Sequence, residues 1–544
     1  MKSDLEADDP DALAKLREWA KGLTAEKALG KGVIAYDTTE PSDARLAQCA
    51  GWWLADAAWE ALGLGGFYRG QARASGWRDG VGETVRLLVG SRIVWPCSKK
   101  AAVERAGRLL FGPDPELGEV YPALDRIAES SLAMQAHVRA VVGGAVLDVV
   151  FYDVTNYFFA TDRGDEDPKG VGAARGEATR QRGYSKEARK SPIIQMGLLL
   201  GPEGLPLAYR LFDGNVPDTS TLPGVLAELK TAFRAARVVV VADKALNTNP
   251  GAAALASAGD GWIFSGSARK APATTREWLL DPAGWEWLDE ARTLRIKSRL
   301  VTRRLPKAGP GGHDLLVGER QICRWSADYA ARDEANRAEM LAKARKLAAD
   351  PATWRASNRK GVKKYVTEQV VDPATGEITE PAGTTLAVDW ARADADALLD
   401  GYWLVHTSET HTPVADVLAR YHDLWRIEQT FRVSKTDLRA RPVHVRTPAH
   451  IEAHFAICFQ ALLVTRLLER VTGLSAARLA EAMRDYQARD AGHGVYLIDR
   501  PGDWDAIDEA TSMPLDQKWA TISQLRQWRR DLTHAAKNTI SLHD

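Results

Sequence analysis

Three acidic residues stand at positions where their side chains could share a metal ion. Asp153 and Asp243 each end an apolar, Val-rich segment, 146–154 and 237–243, that predicts a buried strand. Neighbouring strands of one sheet can present such residues at the same edge, so we expect the two carboxylates to lie together. For either aspartate alone, turn formation at a strand end is the simpler interpretation. The third acid is Glu428, in a predicted helix.

The helix of Glu428 is predicted to begin at the Thr412-Pro413 pair and to run to about residue 437. An apolar residue lies four positions before Glu428 and another three positions after it, so the carboxylate should border the buried face and need a partner. Arg432, four residues later, would make an ordinary helix-surface pair. The alternative partner is a divalent metal ion shared with Asp153 and Asp243.

Three carboxylates from separate elements suit phosphodiester chemistry. Hard divalent ions such as Mg²⁺ and Mn²⁺ prefer oxygen ligands, and such a set can hold two ions about 4 Å apart. One ion activates the attacking water or 3′-hydroxyl and the other stabilises the leaving oxygen. The acidic residues therefore predict cleavage or transfer of a nucleic-acid strand.

Three strongly basic segments surround these acids in a chain whose net charge is zero. Segments 171–190 and 426–446 each hold six positive and two acidic residues. Segment 292–307 holds seven positive residues and no acidic residue. Any one of them alone is more simply a solvated surface, but together they favour contacts to DNA phosphates. The residues predicted to contact DNA here are Arg182, Lys186, Arg426, Arg432 and Lys435.

Composition limits the remaining possibilities. The 544 residues suggest three or four domains, and the 72 basic residues balance 72 acidic ones. Four cysteines without a CxxC pair fit neither a disulfide framework nor a sulfur-rich zinc site, which favours a reducing cytoplasm. No apolar run of about 18 residues and no signal peptide are recognisable, so we expect neither export nor a membrane span.

Two motifs that would indicate other chemistry are not supported. His450 and His454 are four residues apart, but Glu452 is not directly after the first histidine, as the zinc-protease motif requires. The chain also lacks the GxxxxGK[ST] sequence of P-loop nucleotide-binding proteins. Trp52, Trp53 and Trp59 are expected to be core aromatics.

Several blocks in order along the chain carry a resemblance: Phe151 to Thr155, Gly183 to Lys186, Gly214-Asn215 with Asp218, Val240 to Asp243, Asp400 to Tyr402, and Tyr421 to Lys435 followed by Arg441-Pro442. Over about 140–470 the chain resembles bacterial insertion-sequence transposases of the DDE type, in the cut-and-paste group with a Tyr-Arg-Glu-Lys signature. The resemblance implies an α/β fold, a ribonuclease H-like mixed sheet with flanking helices, interrupted by a β-containing insertion.

The resemblance also assigns roles. It implies Asp153, Asp243 and Glu428 as the metal-binding catalytic triad for Mg²⁺ or Mn²⁺, with Tyr421 and Lys435 contacting DNA. The signature arginine is expected three residues after Tyr421, where this chain has Leu424, so Arg426 or Arg432 would supply that charge. A hairpin intermediate and a homodimeric synaptic complex on double-stranded DNA are further implications.

We therefore predict a DNA transposase of the bacterial cytoplasm, associated with the nucleoid. A catalytically silent DNA-binding regulator derived from a transposase, and a structure-specific nuclease of the same fold, are the alternatives. The predicted regions are a helical, DNA-binding 1–140, a core of 141–268 and 401–470, an insertion of 269–400, and a helical 471–544.

Overall fold

The structure is a computed structural model that describes residues 47–77, 80–142, 149–165, 180–183, 190–216, 221–222, 225, 237–349, 360–370, 384–491, 494–499, 504–511 and 519–541. Lys186 and residues 1–46 of the predicted helical N-terminal region lie outside these residues.

The described strands are β1 (Gln48–Cys49), β2 (Val149–Phe158), β3 (Ile193–Leu200), β4 (Pro206–Asp213), β5 (Val239–Ala242), β6 (Gly261–Gly266), β7 (Glu286–Trp287), β8 (Leu294–Leu305), β9 (Leu315–Ser326), β10 (Val366–Val370), β11 (Thr384–Val388), β12 (Tyr402–Thr407), β13 (Gln487–Asp490), β14 (Val495–Asp499) and β15 (Trp519–Thr521).

The α-helices are α1 (Trp53–Ala61), α2 (Leu64–Ser75), α3 (Val81–Val94), α4 (Lys99–Glu104), α5 (Leu117–Glu129), α6 (Ser131–Val142), α7 (Asn249–Ser257), α8 (Ala273–Leu280), α9 (Ala327–Ala348), α10 (Lys360–Lys363), α11 (Trp390–Ala397), α12 (Val414–His422), α13 (Trp425–Arg432), α14 (Pro448–Thr472), α15 (Ala476–Asp485), α16 (Asp505–Thr511) and α17 (Ile522–Ser541). A π-helical turn, Val433–Asp437, continues α13.

One mixed sheet organises the molecule. Its nine strands lie in the order β4-β3-β2-β5-β6-β12-β9-β8-β7. The strands β4, β3 and β2 pair antiparallel, whereas β5 and β6 run parallel to β2 on its other side. This is the ribonuclease H-like arrangement, so the predicted fold class is confirmed. The hairpin β8-β9 comes from the predicted insertion and extends the same sheet beyond β12.

The N-terminal helices and α14 cover one face of this sheet. The aromatic side chains of Trp52, Trp53 and Trp59 are at most 2% exposed and belong to the shared core, as expected. The same core includes Phe151 and Val241 from the central strands. Residues of β2 that alternate with these pack on the opposite face, against α7. The central strands are thus buried on both faces, which explains their continuous apolar sequences.

The C-terminal region departs from the helical prediction. Three short strands, β13, β14 and β15, form a small antiparallel sheet whose fourth member is β1 from the other end of the described chain. The carboxylate of Asp56 on α1 is fully buried and bonded to Arg86, and Arg529 on α17 lies 2.6 Å from it. These contacts hold both terminal regions together beside the core.

Among the helices that the structure describes, one is long and apolar enough to cross a membrane by length and composition alone. It is α14, 25 residues long with a mean hydropathy of 1.5 over its most apolar window. In this protein 89% of that window is buried. Its apolar sequence therefore serves the core, between the sheet and the N-terminal helices.

Candidate active site

The two aspartates lie side by side on neighbouring parallel strands. The pairing of β2 with β5 sets Phe151 opposite Val241, so Asp153 and Asp243, each two residues further along, reach the same level of the sheet. Both side chains are half-buried. Contrary to the prediction, Asp153 does not end its strand, because β2 continues to Phe158. The carboxylates are adjacent because β5 is short and ends just before Asp243.

Glu428 faces the same space from the helix above. A cavity of about 210 Å³ lies between the strands and α13, and Asp153, Asp243 and Glu428 all line it. Leu424 and Ile427 of the helical segment complete the apolar part of its wall. The structure therefore brings together the three acids that the sequence singled out.

Two details of the helix prediction are wrong. The predicted single helix is broken into α12, α13 and the π-helical turn, and it begins at Val414 with Pro413, not Thr412, at the cap position. Glu428 itself is exposed, although Leu424 and Phe431, four residues before it and three after it, are buried. Within the described part of the chain no ion pair joins it to Arg432. Glu428 lies at the rim of the cavity, where its carboxylate can meet solvent or a ligand.

Ser265 and Tyr421 hold Asp243 from the side of β6. The Ser265 hydroxyl donates a 2.8 Å hydrogen bond to Oδ1 of Asp243, and the Tyr421 side chain is hydrogen-bonded to Ser265 in turn. Burial, together with the nearby charges of Asp243 and Glu428, raises the pKa of Tyr421 to about 12. The phenol therefore stays protonated at neutral pH and can donate to Ser265. The Trp403 ring packs against the Tyr421 ring, with 4.7 Å between the two ring centres.

We expect Ser265→Ala to slow strand cleavage about tenfold while DNA affinity stays unchanged. The substitution removes the donor that orients Asp243, and loss of such an outer partner costs a metal site about that factor. Single-turnover nicking and DNA titration would separate the two effects. Ser298→Ala, on the exposed surface of β8, is the matched control. A wild-type rate for Ser265→Ala would show that Asp243 does not need this support.

A further layer of polar residues, which sequence reasoning missed, lies behind Ser265. Asn247 donates to the Ser265 carbonyl at 3.0 Å and accepts from Arg303 at 3.0 Å. Arg303 also binds Glu319, whose second oxygen lies 3.0 Å from Nδ1 of His406. Burial opposes ionisation of Glu319, yet His406 and Arg303 hold its pKa below the usual range. The insertion hairpin is thus hydrogen-bonded to the strand ends of the site.

Lys435 reaches β2 two residues beyond the first aspartate. Its Nζ donates a 2.6 Å hydrogen bond to Oγ1 of Thr155 and lies 5.5 Å from the centre of the Tyr157 ring. Residues 153, 155 and 157 share one face of the strand because side chains alternate along it. The ammonium group therefore lies on the same face as Asp153, where a DNA strand crossing the acids would meet it.

The two candidate replacements for the signature arginine lie in different places. Arg426 points away from the cavity: its Nη1 donates to the Pro202 carbonyl at 3.0 Å, and it pairs with Asp423 at 3.3 Å. Arg432 is exposed on the last turn of α13. Leu424 lines the cavity directly. Of the two arginines, Arg432 is the one whose charge remains available to DNA.

The first basic segment is described only in part. Arg182 is exposed, and its Nη2 donates to the Asp162 carbonyl at 2.7 Å. Arg180 is buried in an ion pair with Asp165 and therefore serves the fold. Lys186 is among the residues that the structure does not describe.

The two histidines of the excluded zinc motif serve the fold. His454 is 5% exposed, and its Nε2 donates to the Ala440 carbonyl at 2.9 Å. Burial lowers its pKa well below the usual range, so the ring is neutral. His450 instead faces Asp125, at 3.4 Å.

The donor set of the cavity fits a hard divalent ion. Within the part of the chain that the structure describes, no three His, Cys, Asp or Glu side chains form a ready-made metal site. Three carboxylates nevertheless share one small cavity, and a hydrogen bond from Ser265 orients one of them. Carboxylate oxygens suit Mg²⁺ and Mn²⁺, and the exposure of Glu428 leaves room for water ligands.

Comparison with known proteins places the chain in a family. The family model described as a transposase DDE domain matches residues 161–464, more than half of the chain. The chain belongs to the DDE transposase family. Asp243 and Glu428 lie inside the matched range of this transposase, and Asp153 lies shortly before it.

A similar solved structure is the synaptic complex of the piggyBac transposase with hairpin DNA. It is 8% identical, with a TM-score of 0.36 over 75% of this chain and 71% of that one. No curated protein matches the sequence.

Proposed function

We propose that this transposase nicks DNA at the ends of its own element and joins the freed 3′-hydroxyl to target DNA. The observation that carries the proposal is the convergence of Asp153, Asp243 and Glu428 on one cavity. Membership of the DDE family supports the same reaction class. A neutral whole-chain charge with local basic surfaces is consistent with a DNA substrate.

The roles of the residues follow from their positions. Asp153, Asp243 and Glu428 would hold Mg²⁺ or Mn²⁺, in our proposal two ions, which when bound activate the attacking oxygen and stabilise the leaving one. Ser265 and Tyr421 keep Asp243 oriented. Lys435 would offer a positive charge to the phosphate backbone beside Asp153, and the exposed Arg432 and Arg182 would make further phosphate contacts.

The proposal also covers the DNA substrate, the oligomeric state and the cellular compartment. The substrate would be double-stranded DNA carrying the inverted repeats of a bacterial insertion sequence, with region 1–140 binding those ends. Two copies of the chain would bring the two ends together as a homodimer. The reaction would take place in the cytoplasm, on the nucleoid.

A nicking assay tests the proposal. A labelled duplex that contains an inverted repeat flanking the gene is incubated with full-length protein and Mg²⁺, and a second duplex serves as target. Nicking at the element's end followed by joining supports the proposal. Cleavage without joining would indicate a structure-specific nuclease, and binding without cleavage a silent regulator.

Substitutions that remove single charges along the helix should affect DNA cleavage more at Lys435 and Arg432 than at Arg426. We expect Lys435→Ala to slow nicking about tenfold and to reduce the salt dependence of DNA binding by about one phosphate contact. Arg432→Ala should weaken cleavage more than Arg426→Ala, because Arg426 is bonded to the Pro202 carbonyl. Nicking rates and salt titrations of the three variants provide the test. A larger defect in Arg426→Ala would reverse the assignment.

A further inference from the structure

A second cavity, of about 450 Å³, lies between the N-terminal helices and the segment that follows α13. Five cationic side chains line it: Arg92, Lys99, Lys100, Arg439 and Arg441. No carboxylate is among the described residues that line it, although His450 at the rim faces Asp125. We call this cavity the basic pocket.

Arg92 of the basic pocket is bonded to neutral partners, whereas Lys100 pairs with Glu104 at 3.7 Å. Arg92 is 9% exposed, and its Nη1 donates to the carbonyl oxygens of Leu438 and Arg439, at 3.3 and 3.1 Å, which are neutral. Burial and the charge of Arg92 lower the pKa of Lys99 to about 8. A buried cation normally has an anionic partner. An anion between these side chains would offset the repulsion from Arg92 that adds to the effect of burial.

The basic pocket lies near the end of β2, the strand that carries Asp153 of the carboxylate site. Lys435 contacts β2 at Thr155, two residues past Asp153. At the end of β2, the Val443 amide donates to the Phe158 carbonyl at 2.9 Å, so the segment that carries Arg439 and Arg441 runs beside the strand end. At about 3.3 Å per residue, that end is about 17 Å from Asp153. The positive charges thus continue along β2 from the acids to the pocket.

We propose that the basic pocket binds a backbone phosphate of the DNA strand that leaves the carboxylate site along β2. The proposal rests on the DNA-cleaving function proposed above. A span of about 17 Å corresponds to about five base pairs at 3.4 Å each, so the bound phosphate lies within about five nucleotides of the scissile one. The pocket joins the N-terminal helices to the catalytic core through the substrate itself.

The experiment neutralises single phosphates in the DNA and single charges in the protein. Duplexes carrying one element end receive one methylphosphonate at a time near the scissile position. Their affinity for full-length wild type, Lys99→Met and Lys100→Gln is measured by fluorescence anisotropy in Ca²⁺. Lys343→Gln, which removes an exposed lysine of α9 paired with Glu339, is the matched control. Far-ultraviolet circular dichroism and melting temperature verify folding.

We expect one or two methylphosphonate positions to weaken wild-type binding about tenfold and to have little further effect on Lys99→Met. On unmodified DNA, Lys99→Met should bind about tenfold more weakly, with a salt slope shallower by about one. Lys100→Gln, whose side chain is exposed at the rim, should show a smaller loss of the same kind. Lys343→Gln should behave as wild type.

The outcomes separate this proposal from the proposed function. The methylphosphonate positions could change DNA affinity equally in the wild type and in both pocket variants. In a protein that nicks DNA normally, this result would overturn the proposed role of the basic pocket and leave the proposed function intact. Calorimetric binding of inorganic phosphate that depends on Lys99, with those profiles unchanged, would make it a small-anion site and overturn the proposal too. A wild type that neither binds nor nicks the duplex would contradict the function itself.

Discussion

Asp243→Asn should abolish strand cleavage while leaving DNA binding intact. The substitution keeps the size of the side chain and removes the negative charge that a divalent ion needs, whereas DNA affinity comes mostly from Lys and Arg contacts to phosphate. Asp153→Asn and Glu428→Gln should behave in the same way. We expect losses of at least about a thousandfold in nicking rate, equivalent to about 4 kcal/mol of transition-state stabilisation.

The control for these variants is Glu203→Gln, on the turn between β3 and β4. Its carboxylate pairs with Arg470 at 3.1 Å, away from the cavity, so nicking should continue at the wild-type rate. Cleavage retained by any one triad variant would remove that residue from the site. Loss of DNA binding in all three, with folding intact, would assign the carboxylates a structural role instead.

The adjacency of the two aspartates could be predicted because it depends on local sequence. Runs such as Val239 to Ala242 are too apolar and β-branched for any element other than a buried strand. Side chains alternate along a strand, so a register error of one residue would turn Asp153 to the other face. The order of the strands still required the family resemblance.

The break in the helix was harder to predict, because the competing energies are small. The stretch from Val414 to Asp437 has the composition of one helix, yet it divides at Asp423 and Leu424 and ends in a π-helical turn. Packing against the sheet decides this, since it lets Tyr421 reach Ser265 while Lys435 reaches Thr155. Helical periodicity alone cannot predict a break that depends on tertiary packing.

The insertion hairpin shows a second limit of sequence patterns. Residues 292–307 are predicted to be a basic surface, but strand β8 occupies most of them, and basic residues alternate with others along its first half. Arg303 from this strand meets Glu319 and Asn247, and Glu319 in turn meets His406, only because separate segments come together in the sheet. No spacing rule connects residues so far apart in sequence.

Removal of divalent ions should stop cleavage as completely as loss of a carboxylate. In chelator, Asp153, Asp243 and Glu428 would repel one another and the approaching phosphate, so we expect no nicking of an element-end duplex. Mg²⁺ or Mn²⁺ should restore it. Ca²⁺ should support DNA binding with little turnover, because it accepts longer bonds and looser geometry than in-line phosphoryl transfer requires.

A second readout separates metal binding from catalysis. An ion that binds only the folded protein raises its melting temperature with concentration. Mg²⁺ or Mn²⁺ should therefore stabilise the wild type and have little effect on Asp243→Asn, whereas the control Glu203→Gln should respond as the wild type does. Full nicking activity in chelator would contradict the metal mechanism. A thermal shift retained by Asp243→Asn would mean that the ion binds elsewhere, and the carboxylates would then need another role in the reaction.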